Sequence, residues 1–201
     1  MRSTRIAAAT GGIVLLAIML AGCGSKKPAS MTALTGPKKN GCVVIGSEPA
    51  MGDRNEKKPT AQLDAGKHYD VTMNTNCGSF TFRLDQAQSP NAAASIVSLV
   101  KEKFFDNTVF HRIVPGFVIQ GGDPTGTGNG GPGYMTVDTP PKTAAYTHGV
   151  VAMAKTQVDP KGTAGSQFFV VTSADAGLTP DYAIVGTVTK GLDVVDRIGK
   201  L

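Results

Sequence analysis

Arg112 and Gln120 are the two residues best placed to do chemistry in the stretch FHRIVPGFVIQGGDPTGTGNGG, which runs from Phe110 to Gly131. Each interrupts a short apolar run of strand character. Arginine is a donor with several N–H groups and no acceptor, whereas glutamine both donates and accepts. Neither sits in an ordinary strand pair without partners, because burying an unpaired polar group costs free energy. Metal chemistry is not indicated, since His68, His111 and His148 lie tens of residues apart, with no CxxC and no partners at zinc spacing. The run GTGNGGPG, Gly126 to Gly133, lacks the GK[ST] ending of a phosphate loop and reads as a surface turn cluster. Neither a metal nor a cofactor is expected.

These residues have to be positioned by the elements around them. From Tyr69, YDVTMNT and SFTFRL alternate about the turn NCG, which is a hairpin signal. Ser89-Pro90 is suited to an N-cap and first turn, and Ala93, Ile96, Val97, Val100 and Phe104 then recur at helical spacing. Strands are expected near Val109–Val114, Phe117–Gln120, Gly149–Ala154, Gln167–Thr172 and Ala183–Val188. A last helix begins at Leu192. Many short strands with two helices predict a mainly β fold: a closed antiparallel barrel capped by two α-helices.

The chain has 201 residues, enough for one ordinary domain with extensions. Its net charge of +5 is unevenly placed. Residues 24–60 carry seven basic residues against three acidic, whereas 61–201 carry eleven against twelve. The basic excess therefore lies outside the folded part, and nucleic-acid binding is not expected. It suits either an anionic membrane surface or a solvated linker. Arg2 and Arg5 precede a mainly apolar run, Ile6 to Ala21, too short for a comfortable membrane span of about 20 residues. LAGC, Leu20 to Cys23, resembles the lipobox of bacterial lipoproteins; an ordinary export signal with an incidental cysteine is the alternative. The resemblance implies that residues 1–22 are a signal peptide and that Cys23 carries lipid. Residues 23–65 then read as a tether and irregular lead-in, and 66–201 as the folded domain. Cys42 and Cys77 remain, either bonded to each other or as two separate thiols.

Three blocks, FHRIVPGFVIQGGD, GVVAMA (Gly149 to Ala154) and AGSQFFVVT (Ala164 to Thr172), together resemble the cyclophilin family of peptidyl-prolyl isomerases over about residues 69–201. The resemblance implies a cyclophilin-like barrel. It implies isomerisation of X–Pro bonds, with Arg112, Gln120 and Phe117 as the catalytic group. Val118, Phe169, Leu178 and Tyr182 would line the proline seat, Gln167 would add a polar contact, and the main chain of Ala154 and Lys155 would pair with the substrate backbone. Where many members have an indole, a histidine, a methionine and an asparagine, this chain has Gly177, Tyr182, Val118 and Lys155. Members generally continue into a final barrel strand, so with the sequence stopping at Leu201 either that strand is missing or another segment fills its place. The expected protein is a monomer that acts on proline-containing polypeptides and is lipid-anchored on the extracytoplasmic face of a bacterial membrane. A tethered proline-segment binding module or holdase, with little turnover, is the competing expectation.

Overall fold

The computed structural model describes residues 36–45, 52 and 54–201. The signal segment and Cys23 lie outside them. Among the described residues, a hairpin of β1 (Lys38–Lys39) and β2 (Cys42–Val43) precedes β3 (Asp70–Thr75) and β4 (Gly78–Leu84), then helix α1 (Pro90–Lys101). There follow β5 (Arg112–Val114), β6 (Val118–Gly121), β7 (Thr136–Val137), β8 (Val150–Met153), β9 (Thr163–Ala164), β10 (Phe168–Val171), β11 (Ile184–Lys190) and helix α2 (Leu192–Ile198). Seven strands form one antiparallel sheet in the order β3-β4-β11-β8-β10-β6-β5. Register shifts in β11, between Ile184 and Gly186 and between Val188 and Lys190, accompany its curl. The sheet is a half-barrel rather than a closed one, with β3 and β5 as its edges.

Strand alternation divides the apolar residues into two clusters. One face of β8, β10 and β6 sends Val151, Met153, Phe168, Val170 and Ile119 inward, onto Phe80, Phe82 and the helices. Each large side chain so buried contributes about 1.5–3 kcal/mol. The opposite face carries Val118, Val150, Ala152, Phe169 and Val171 into a second cluster around Tyr146. The candidate site is built on that second face.

Three local expectations are corrected. Ser89 sits at the N-cap position of α1, but its hydroxyl donates to the Ile184 carbonyl (2.7 Å) and not to the helix. Asp138 caps the helix from a distance, accepting from the N–H groups of Asn91 (3.2 Å) and Ala92 (2.7 Å). The helix ends at Lys101, and Phe104 is buried beyond it in a turn in which Lys103 and Asn107 adopt positive φ. The lead-in is not wholly irregular either: β1 and β2 pair with each other, and Val43 exchanges hydrogen bonds with Asn76 at the tip of the β3–β4 hairpin.

Cys42 and Cys77 form a disulfide that fastens the first hairpin to the second, 35 residues on. Closing a loop of that length restricts the unfolded chain, so Cys77→Ser is expected to lower the free energy of unfolding by about 2–4 kcal/mol. Urea denaturation with and without reductant measures it. Equal stability of the two proteins would show that the bond contributes nothing.

Candidate functional site

Antiparallel register puts the site together. On β5 and β6, Arg112 lies opposite Gln120, and across the next ladder Gln120 lies opposite Phe169, which faces Ala152 of β8. Directly opposed residues on one face have Cβ atoms about 5 Å apart, so guanidinium, amide and phenyl ring form one row. The turn between β5 and β6 adds the next residue. Pro115 and Gly116 (φ 69°) occupy its centre and Phe117 N–H returns to the Val114 carbonyl (3.0 Å), a type II pattern that needs glycine at the positive-φ position. Phe117 thereby reaches the row, and the Arg112 guanidinium sits 5.9 Å from its ring centroid.

Arg112, Phe117, Val118, Gln120, Ala154, Lys155, Phe169, Leu178 and Tyr182 line one cleft of about 310 Å³, together with Gln157. The sequence reasoning had no signal for Gln157, which lies in an exposed turn. Gln167 stands one step behind. Its Oε1 accepts from Gln120 Nε2 (3.1 Å), while its own Nε2 donates to the carbonyls of Gly128 (2.8 Å) and Gly130 (2.9 Å). The glycine-rich loop thus pins Gln167, and Gln167 pins Gln120. That loop wraps Asp123, whose carboxylate accepts from the N–H groups of Thr125, Gly128 and Gly130 and from the Thr125 hydroxyl. Burial works to raise the Asp123 pKa, but these donors outweigh it and hold the carboxyl below the ordinary 3.8.

The aromatic wall has a buried support that the sequence reasoning missed. Tyr146, 1% exposed, donates its hydroxyl proton to the Tyr182 carbonyl (2.7 Å) and accepts from the Tyr182 N–H (3.0 Å). Its ring lies 6.3 Å from that of Phe169 and 6.0 Å from that of Tyr182, and Phe169 and Tyr182 meet edge to face at 5.5 Å. Lys155 covers the other side of Tyr182, its Nζ 5.5 Å from the ring centroid and donating to the Thr156 and Asp159 carbonyls. The Ala154 N–H is already given to the Gln167 carbonyl (2.8 Å), so that amide does not pair with a substrate as expected; the carbonyl of Ala154 and the main chain of Lys155 remain. Gly177 has φ 61° and open space where a side chain would begin.

The cleft lining includes no serine, cysteine, histidine or carboxylate, and the described residues hold no cluster of three or more metal-ligating side chains. Such a site grips an apolar ring and points donors at its neighbour. Residues 70–201 match the family described as cyclophilin type peptidyl-prolyl cis-trans isomerase/CLD. The chain belongs to that family. It is 36% identical over 140 residues to peptidyl-prolyl cis-trans isomerase CYP18-2 of Arabidopsis thaliana, covering 68% of this chain and 84% of the plant protein. It is 35% identical over 134 residues to peptidyl-prolyl cis-trans isomerase-like 1 of Emericella nidulans, covering 65% and 81%. A crystal structure of a Cryptosporidium parvum cyclophilin type isomerase superposes with a TM-score of 0.60 at 33% identity, over 66% of this chain and 85% of that one. The half-barrel and its two helices are therefore those of a cyclophilin, and the enzyme class is peptidyl-prolyl cis-trans isomerase.

His111, beside Arg112, has both ring nitrogens buried without a hydrogen-bond partner among the described residues. Burial lowers its pKa from the ordinary 6.5, Asp123 opposes that, and the Arg112 charge reinforces it. The unfolded chain therefore takes up a proton that the folded one refuses, and stability is expected to fall as pH drops below about 6.5. The lowered carboxylates titrate in a separate window, at and below their ordinary 3.8. Urea midpoints between about pH 7.5 and 5, with His111→Gln as the comparison, measure this linkage. The variant is expected to show the shallower slope, and equal slopes would show that His111 does not carry it.

Proposed function

We propose that the protein isomerises X–Pro bonds of exported polypeptides, with Arg112 as the donor that stabilises the twisted amide. The observation that carries this reading is the row Arg112–Gln120–Phe169, which sets the Arg112 guanidinium beside an aromatic seat. Resonance gives the peptide bond a barrier of about 18–20 kcal/mol, and no covalent intermediate is needed to cross it. At the top of that barrier the amide has lost its resonance, and the proline nitrogen is pyramidal and more basic than in either planar form. A donor aimed at that nitrogen therefore binds the transition state better than the ground states. Phe117, Phe169, Leu178 and Tyr182 hold the ring. Gln120, with one N–H given to Gln167, keeps its carbonyl and second N–H for the neighbouring backbone. A ~10⁵-fold acceleration asks for only about 7 kcal/mol, which one preorganised donor and orientation supply together. The names of the relatives support this reading, as does the Cryptosporidium parvum isomerase solved in the presence of the dipeptide Ala-Pro.

Arg112→Ala is expected to lower turnover of an X–Pro peptide at least about a hundredfold in a protease-coupled assay, as loss of a transition-state donor does. Unchanged turnover removes Arg112 from the mechanism. No turnover by the unmodified protein, with peptide still bound, would favour the holdase reading.

The exported setting rests on two features. LAGC at Leu20 to Cys23 supports a lipid on Cys23, and the Cys42–Cys77 bond suits an oxidising compartment. No helix among the described residues is long and apolar enough to cross a membrane. We place the protein on the extracytoplasmic face of a bacterial cell membrane, held by that lipid. Cys23→Ala is expected to move it from the membrane fraction to the soluble one, and continued partitioning with membranes would refute lipid anchoring through this cysteine.

A further inference from the structure

Residues 54–58 lie before the family region, which begins at residue 70, yet they are fastened to it at three points. Arg54 Nη1 donates to the carbonyls of Lys103 (3.0 Å) and Phe104 (2.7 Å), just past the end of α1, and the guanidinium stacks 5.7 Å from the Phe104 ring centroid. The Glu56 N–H donates to the Pro132 carbonyl (2.9 Å), and Lys58 Nζ to that of Met135 (2.8 Å). These partners lie just past the end of a helix and at the end of the glycine-rich loop, so the segment is a strap laid across both. Asn55 lies between the first two anchors with its side-chain oxygen against Gly133, where φ is 81° and a Cβ would come within 2.5 Å of that oxygen. The close approach requires glycine.

Asn55 thereby forms part of the wall of a second cleft, of about 510 Å³, which it lines with Tyr134, Met135, Lys155 and Asp159 among others. This cleft is continuous with the proline seat, because Gln120, Ala154 and Lys155 line both. In an extended chain, side chains two residues apart project to the same side about 7 Å apart. A polypeptide with its proline in the seat and its backbone against Ala154 and Lys155 therefore delivers the side chain two residues from the proline to the second cleft.

We propose that the strap is part of the substrate-binding surface and that Asn55 contacts that side chain, so that a segment outside the family domain helps select which X–Pro sites are isomerised. The inference rests on the isomerase reading above for its substrate, a proline-containing polypeptide. The chemistry it favours is an amide or carboxylate two residues from the proline. The Asn55 amide is both donor and acceptor, and Lys155 has a third N–H beyond the two given to main-chain carbonyls.

The test uses the full chain and matched X–Pro peptides that carry glutamine or glycine two residues from the proline, before or after it. Affinity is read by NMR titration and turnover is measured separately. The unmodified protein is expected to bind one glutamine peptide about three- to tenfold more tightly than its glycine counterpart, the range of a single net hydrogen bond. Asn55→Ala is expected to bring that ratio close to one, and Arg54→Ala, which frees the strap at its first anchor, to do the same. A ratio that survives in both variants overturns the proposal, even if both peptides weaken equally, since that is the signature of a strap that only braces the fold. No discrimination by the unmodified protein overturns it too. Absent turnover with the ratio and its loss intact would count against the isomerase reading and leave the strap in the binding surface.

Discussion

The register of β6 between β5 and β10 is the constraint on which the site depends. Pairing Arg112 with Gln120 and Gln120 with Phe169 puts a cation, an amide and a ring side by side on one face. A slip of one residue would turn all of them toward the interior, where Ile119, Phe168 and Val170 now pack. The same alternation that buries the half-barrel core therefore holds the site open on the other side. Neither face can change register without exposing apolar surface on one and burying unpaired polar groups on the other. The core selects the site's geometry as much as the site's own contacts do.

Register alone would leave long side chains free to swing, and the surrounding shell limits that. Asp123 gathers the loop N–H groups, the loop carbonyls hold Gln167, and Gln167 holds Gln120. Tyr146 ties down the backbone of Tyr182 with both capacities of one hydroxyl, and so fixes the edge of the aromatic wall. Each link is a hydrogen bond made before any substrate arrives. Gln120 and the Tyr182 backbone are held in this way, whereas the Arg112 side chain is exposed and rests against the Phe117 ring.

Much of this was legible in the sequence, and the limits have physical causes. Alternation in YDVTMNT and SFTFRL and helical spacing after Ser89-Pro90 report local structure, so β3, β4 and α1 could be read directly. The rule that polar residues in apolar strands need partners holds for Gln120, which is bonded to Gln167, and fails for Arg112, which is exposed and makes no side-chain hydrogen bond among the described residues. Features made by distant pairs were not visible. The Asp138 cap on α1, 46 residues from Ala92, leaves no local pattern, and Ser89 offered a nearer and misleading one. Tyr146 sits in a polar stretch with no period, so nothing marked it as buried. The strap at 54–58 reads as linker because its composition is that of a linker; what holds it is mostly main-chain carbonyls, which sequence does not display.

The proposed chemistry, a guanidinium donor beside an apolar seat, involves no proton transfer to or from an enzyme group. The most direct measurement is kcat/KM for an X–Pro peptide, followed by NMR exchange between about pH 7 and 9, above the window in which His111 affects stability. The expected result is exchange far faster than the uncatalysed tens to hundreds of seconds, with a rate that is flat in pH. A rate that rises or falls tenfold per pH unit would assign the chemistry to a titrating group, and exchange no faster than in buffer would leave the cleft a binding site alone.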